Sequence, residues 1–173
     1  MDKQSRIFVA GHRGLLGSAL MRTLEARGYR EPAPRTHEEL DLADAEGVQE
    51  LFRQERPEYV FMAAAKVGGI QANRVLPAEF IQANLAIQTS VIHAAHLAGV
   101  ERLVFFGSNC TYPKDALQPM REEYLSTGPL EPTSESYAVA KIAGMKMCQA
   151  YNQQYGSLFI PVIPATLYGP NDN

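Results

Sequence analysis

Apolar residues in this chain fall into two patterns, short unbroken runs and longer stretches in which they recur every three or four positions. Ile7-Phe8-Val9-Ala10 is an unbroken run, as a strand buried on both faces requires. After a glycine turn, Leu16, Ala19, Leu20 and Leu24 mark the inner face of a helix that Gly28 stops. Asp44 is placed to cap a second helix reaching about residue 56, with Val48, Leu51 and Phe52 inward. Tyr59–Ala65 reads as the strand that follows it. Pro77 opens a long helix to Ala98, with Phe80, Ile81, Leu85, Ile92 and Ala95 apolar and Gly99 closing it. Arg102–Ser108 is a further strand, Thr133 or Ser134 caps a helix over 134–155, and Leu158–Ile163 forms the last strand despite Pro161.

One more strand is expected near residues 30–35, although Pro32 and Pro34 each remove a ladder donor. Being two apart, they remove donors on one side only and leave the other side able to pair. Strands alternating with helices predict an α/β fold with a doubly wound parallel sheet of Rossmann type. At 173 residues the chain forms one domain, residues 1–173, with enough length to bury a sizeable core.

Composition narrows the function classes. A net charge of −3 with scattered Lys and Arg gives no basic stripe, which argues against a nucleic-acid surface. No apolar run is long enough to span a membrane, and Met1–Arg6 leads straight into the first strand without a signal-peptide core. The expectation is a cytoplasmic protein. Two cysteines, Cys110 and Cys148, imply neither a disulfide framework nor a zinc site, and Cys148 reads as a buried small apolar residue. No metal is expected: His93 and His96 lack ligand spacing and read as structural, as do His12 and His37.

The candidate chemistry sits at the ends of the strands. Gly11-His12-Arg13-Gly14-Leu15-Leu16-Gly17 joins the first strand to the first helix with G-x-x-G-x-x-G spacing. Glycines allow a tight turn and close approach to a pyrophosphate, and the helix N-terminus offers free N–H groups. Arg35 falls where an NAD site would carry an acidic ribose-binding residue, so Arg35 with Arg13 suits the 2′-phosphate of NADP. Ala63-Ala64-Ala65 lets a cofactor lie close to the backbone, and Lys66–Ile70 is a loop at the carboxyl edge of the sheet. Ser108 begins a long connection to Pro132, a length that points to function. Tyr137 and Lys141 lie four apart on one helix face, where an ammonium is expected to lower the phenol pKa and make it a proton donor and acceptor.

The glycine turn, Ser108 and the Tyr137/Lys141 pair resemble the extended short-chain dehydrogenase/reductase superfamily. More narrowly, Ala63–Gly69, Cys110-x-Tyr112-Pro113-Lys114, Gln118-Pro119-Met120, Leu130–Thr133 and Tyr137–Gly144 resemble the GDP-L-fucose synthase family over nearly the whole chain. That resemblance implies an NADPH-dependent 3,5-epimerase/4-reductase acting on GDP-4-dehydro-6-deoxy-D-mannose. It implies that Tyr137 is the general acid at the substrate 4-oxygen, that Lys141 lowers its pKa and holds the nicotinamide ribose, and that Ser108 binds the carbonyl. Cys110 becomes an acid or base of the epimerisation, and a homodimer through the two long helices is implied as well.

Two residues depart from that family: Thr166 stands where it usually has Asn, and Asn171 where it usually has His. The resemblance also implies that the chain corresponds to the cofactor-binding half, without the C-terminal substrate domain. Two other readings remain open, a nucleotide-sugar 4-epimerase or dehydratase and a non-catalytic dinucleotide-binding remnant.

Overall fold

The computed structural model describes residues 1–173 apart from Ala33, Asn171 and Asn173. Four strands, β1 (Ile7–Ala10), β2 (Tyr59–Met62), β3 (Arg102–Phe106) and β4 (Phe159–Val162), pair in parallel in that order. The helices are α1 (Leu15–Ala26), α2 (Ala45–Glu55), α3 (Ile70–Val75), α4 (Pro77–Leu97) and α5 (Glu135–Tyr155).

Alternation along the strands divides the core between the two faces of the sheet. Phe8, Ala10, Val60, Met62, Leu103, Phe105 and Phe159 point to the face covered by α2, α4 and α5, where Val48, Phe52, Val91, Ile92 and Cys148 meet them. Ile7 and Val9 point to the opposite face and pack with Leu24, Leu20 and Met21 of α1. The chain therefore leaves β1 on one face and returns to β2 from the other. Connections diverge beyond the carboxyl ends of β1 and β2, the crevice where such sheets bind ligands.

Most predicted elements form within a residue or two of their expected bounds. Asp44 accepts the Glu46 N–H at 3.1 Å and caps α2 as expected. The expected strands over 59–65 and 102–108 stop at Met62 and Phe106, and short helix α3 occupies part of the presumed loop. Ser134 stands at the N-cap of α5 without a side-chain cap bond, and the Thr133 hydroxyl donates instead to Glu131 at 3.0 Å.

Among the described residues no strand forms over 30–35; Ala33 of that segment lies outside them. Arg30 N–H donates to the Lys3 carbonyl at 2.7 Å, so the segment is tied to the N-terminus and not to β1. Pro32 and Pro34, each without a donor, account for that. Pro161 is accommodated because β4 is an edge. The Phe159 N–H turns away from β3 to Asn152 Oδ1 at 2.9 Å, and Pro161, two residues on, faces the same way with no ladder donor to lose.

The two long helices lie together through small and polar residues. A Cβ on Gly144 would fall 2.3 Å from Phe105 Cζ and 2.7 Å from Gln88 Oε1, so only glycine lets α5 approach β3 and α4 this closely. Buried Gln88 donates to the Ala140 carbonyl at 2.7 Å and ties α4 to α5. No helix among the described residues is long and apolar enough to cross a membrane.

Candidate active site

A cleft of about 920 Å³ opens beyond the carboxyl ends of the strands. It is lined by the turn after β1, by Ala63–Ala65 and the Val67–Ile70 stretch after β2, by Phe106–Cys110 after β3, and by Tyr137 and Lys141 of α5. Arg35 and Pro164–Leu167 complete its ends. The topology thus gathers into one cavity every residue singled out in the sequence as a cofactor or catalytic candidate, apart from Gly17, which is packed beneath the turn.

The glycine turn is built by backbone contact. Gly11 adopts φ +81°, and a Cβ there would lie 2.7 Å from the Ala64 backbone. A Cβ on Gly17 would lie 2.0 Å from the Gly11 carbonyl oxygen. Gly14 is the N-cap of α1 and supplies no side-chain cap, which leaves first-turn N–H groups available to an anion at a positive helix end. These features fit the pyrophosphate of a dinucleotide. At the far end Arg35 lies 2.7 Å from Glu55 Oε1, which fixes its guanidinium at the cleft wall. Burial and the neighbouring Arg13 hold the His12 imidazole below its ordinary pKa.

Tyr137 and Lys141 share one face of α5, with the ammonium 5.8 Å from the phenol ring centroid. Their electrostatics differ from the sequence expectation. Burial, followed by the charge of Cys110, pushes the Tyr137 phenol up to about 12, and a hydrogen bond with Ser108 pulls only partly the other way. Lys141 is 4% exposed and donates to the Phe106 carbonyl at 2.9 Å, while burial brings it down to about 8. Removal from water penalises the charged forms of both groups, and in this state it outweighs the attraction of the cation for a phenolate. Tyr137 therefore holds its proton at neutral pH, the state a proton donor requires.

A measurable pH dependence follows. The unfolded chain keeps the Lys141 proton up to about 10.5, whereas the folded chain releases it near 8. Lys141 thus contributes stability that is present above the upper value and lost as pH falls through the lower one. Lys141 alone should raise the free energy of unfolding by up to about 3 kcal/mol across that window, opposed from about 9 by Cys148, whose thiol burial pushes up to about 12, and from about 10 by Tyr137, because both ionise earlier in the unfolded chain. Urea unfolding at pH 8 and 9 should show stability rising with pH more steeply in the parent than in Lys141→Met. An equal slope in both would refute the account.

Ser108 caps a 3-10 turn over Asn109–Thr111, accepting the Cys110 N–H at 3.3 Å, while Thr111 Oγ1 donates to the Ser108 carbonyl at 2.6 Å. This turn brings the Cys110 thiol to the cleft beside the phenol, whereas Cys148 is fully buried on the inner face of α5. His93 pairs with the Tyr151 hydroxyl at 2.8 Å and His96 stacks on Tyr155, away from the lining of the cleft. Among the described residues no group of three or more His, Cys, Asp or Glu could hold a metal ion. Asn171 lies outside the described residues.

Sequence patterns gave little sign of the amides that shape the cleft. Asn84 accepts the Lys66 N–H at 3.0 Å and donates to the Lys66 carbonyl at 3.0 Å, clamping the loop after β2. Asn73 donates to the Gly68 and Gly69 carbonyls, and Asn109 bridges Ser108, Cys110 and Thr166. A polar residue inside an apolar helical face, as Asn84 is, was the one available signal for the first of these.

The family model described as the NAD dependent epimerase/dehydratase family matches residues 7–173. A putative GDP-L-fucose synthase 2 of Arabidopsis thaliana is 56% identical over 173 residues, covering 100% of this chain and 53% of that protein. The GDP-L-fucose synthase of Escherichia coli K12 is 54% identical over the whole chain and 54% of its own length. Among solved structures, MlghC, a GDP-mannoheptose C4 reductase from Campylobacter jejuni with NADP bound, superposes with a TM-score of 0.96 at 45% identity, covering 100% of this chain and 55% of that one. The chain spans about half the length of the curated relatives it matches.

Proposed function

The chain belongs to the NAD-dependent epimerase/dehydratase family, and from that premise we propose that it acts as the NADP-binding and proton-transfer part of a GDP-L-fucose synthase. In this reading residues 1–173 form a Rossmann-type NADP-binding domain of an enzyme that converts GDP-4-dehydro-6-deoxy-D-mannose to GDP-L-fucose. The observation that carries it is the convergence of Ser108, Cys110, Tyr137 and Lys141 on the cleft that the glycine turn enters. Identity of 54–56% to GDP-L-fucose synthases supports the choice of substrate.

NADPH would supply the hydride that reduces the C4 ketone. Gly11–Gly17 would hold its pyrophosphate, Arg13 and Arg35 the 2′-phosphate, Ala63–Ala65 would flank it, and Lys141 would bind the nicotinamide ribose. Tyr137, protonated and hydrogen-bonded to Ser108, gives its proton to the 4-oxygen as negative charge develops there. Ser108 orients that oxygen. Cys110 exchanges the proton at C3 and C5, which the C4 ketone acidifies, and this requires a group that can both take and give a proton. A homodimer joined through α4 and α5, and a cytoplasmic setting among soluble nucleotide sugars, belong to the same proposal.

Reduction at C4, the activity named for the similar MlghC, needs the tyrosine, lysine and serine but no thiol. The thiol at the cleft beside Tyr137 favours the epimerising enzyme.

Cofactor choice tests the binding part of the reading. NADPH should bind the chain more tightly than NADH, and Arg35→Asp should weaken NADPH binding by at least about tenfold while changing NADH binding little, because one charged hydrogen bond to phosphate contributes about 1.5–3 kcal/mol. Fluorescence titration with both cofactors reads this directly. Equal affinities in the unaltered chain would defeat it.

A further inference from the structure

Between Ser108 and Cys110 stands a carboxamide with three polar neighbours. Asn109 Oδ1 receives the Ser108 hydroxyl at 3.4 Å and the Cys110 thiol at 3.8 Å, and its Nδ2 donates to Thr166 Oγ1 at 3.2 Å on the segment after β4. The first two contacts are long, so the amide is not locked by them. Its oxygen suits a neutral thiol, which donates S–H. The same oxygen would repel a thiolate, which has only lone pairs to offer.

A carboxamide has a second face. Turned over about its terminal torsion, it presents N–H to the sulfur in nearly the same volume, and its oxygen then faces Thr166. A threonine hydroxyl both accepts and donates, so Thr166 can satisfy the amide in either orientation, which neither a valine nor a lysine could do.

We propose that Asn109 is a positioning residue for Cys110: it presents its oxygen to the thiol and, once the proton has left, turns to present N–H to the thiolate, with Thr166 serving both orientations. The proposal rests on reading Cys110 as a proton-transfer group. Through Thr166, the loop after β4 then takes part in setting when the thiol ionises. Tyr137 and Lys141 on α5, Glu131 ahead of that helix and Asp172 near the C-terminal end are other titratable groups lining the cleft. None is altered by changing the amide or its hydroxyl partner, so a difference between variants isolates this pair.

Iodoacetamide alkylation of the folded chain tests it without substrate or cofactor. The thiolate sulfur bonds to the methylene carbon as iodide leaves, so the pH midpoint of the rate follows ionisation of the thiol while the plateau follows access. Peptide mass spectrometry separates Cys110 from the buried Cys148. Asn109→Ala should raise the midpoint by about one pH unit, as loss of a hydrogen bond to an ion implies. Asn109→Asp, which sets a carboxylate beside the thiolate, should raise it further. Thr166→Val should shift it in the same direction, and Thr166→Ser should keep the parental profile.

Parental midpoints in both Asn109→Ala and Thr166→Val would overturn the proposal, as would equal shifts in Thr166→Val and Thr166→Ser. That last pair differs little in shape, so the comparison stays decisive even where an Asn109 variant fails to fold, as far-UV circular dichroism would show. Absence of keto-sugar turnover would count against the functional reading alone, because alkylation is read independently of it.

Discussion

Tyr137→Phe, assayed in the complete protein that carries these residues, is expected to lower NADPH-dependent reduction of the keto sugar by about 10²–10⁴-fold, the usual contribution of a positioned general acid. The substitution removes one oxygen and leaves the ring that α5 carries into the cleft. The phenol is raised to about 12 by burial and the Cys110 charge, against the weaker opposing bond from Ser108, so it is the protonated form that the reaction loses. Fold and cofactor binding should survive, because neither the glycine turn nor the Lys141 bond to Phe106 involves that hydroxyl. Stopped-flow absorbance of NADPH gives the rate, and fluorescence titration gives cofactor affinity. Reduction at the parental rate would remove Tyr137 from the mechanism. A parallel collapse of cofactor affinity would instead assign it a binding role.

Cys110→Ser is the second large effect, and it should divide the reaction in two. Inversion at C3 or C5 needs a proton taken from one face of the sugar and returned to the other, so it needs two groups, of which Cys110 is the one proposed above. A serine hydroxyl occupies the same place but ionises far less readily than a thiol near neutral pH. Exchange of the C3 and C5 protons with deuterated solvent, followed by mass spectrometry, should fall by at least about 10²-fold. Reduction at C4 should remain measurable, since Tyr137, Ser108 and Lys141 keep their geometry. Exchange at the parental rate would remove Cys110 from the epimerisation and assign that proton to another group.

The arrangement also explains why the site tolerates so much burial. Lys141 sits among apolar neighbours with one carbonyl partner, a costly position that the proposed role at the ribose would account for. Gly144, on the inner face of the same helix, lets α5 lie against Phe105 closely enough to hold that lysine at the end of β3.

Much of this was written in local pattern. The unbroken run at 7–10 marked a strand buried on both faces, and β1 is buried throughout, whereas the runs at 59–65 and 102–108 marked strands whose alternate residues are only partly buried. Gly11, Gly14 and Gly17 marked the turn, and the four-residue spacing of Tyr137 and Lys141 put both on one helix face. Asp44, Val48, Leu51 and Phe52 behaved as their periodicity required.

Other features were decided only when distant segments met. The strand expected at 30–35 does not form among the described residues, because its outcome depended on whether β1 could find enough donors across Pro32 and Pro34. The lysine four residues from Tyr137 suggested a lowered phenol pKa, yet burial by the surrounding elements reversed its direction. Asn84, Gln88 and Asn109 acquired their partners from residues 18, 52 and 57 positions away. Periodicity along a chain records which way a side chain points. Desolvation and hydrogen-bond partnership depend on what packs against it from elsewhere, and only the assembled tertiary structure supplies that.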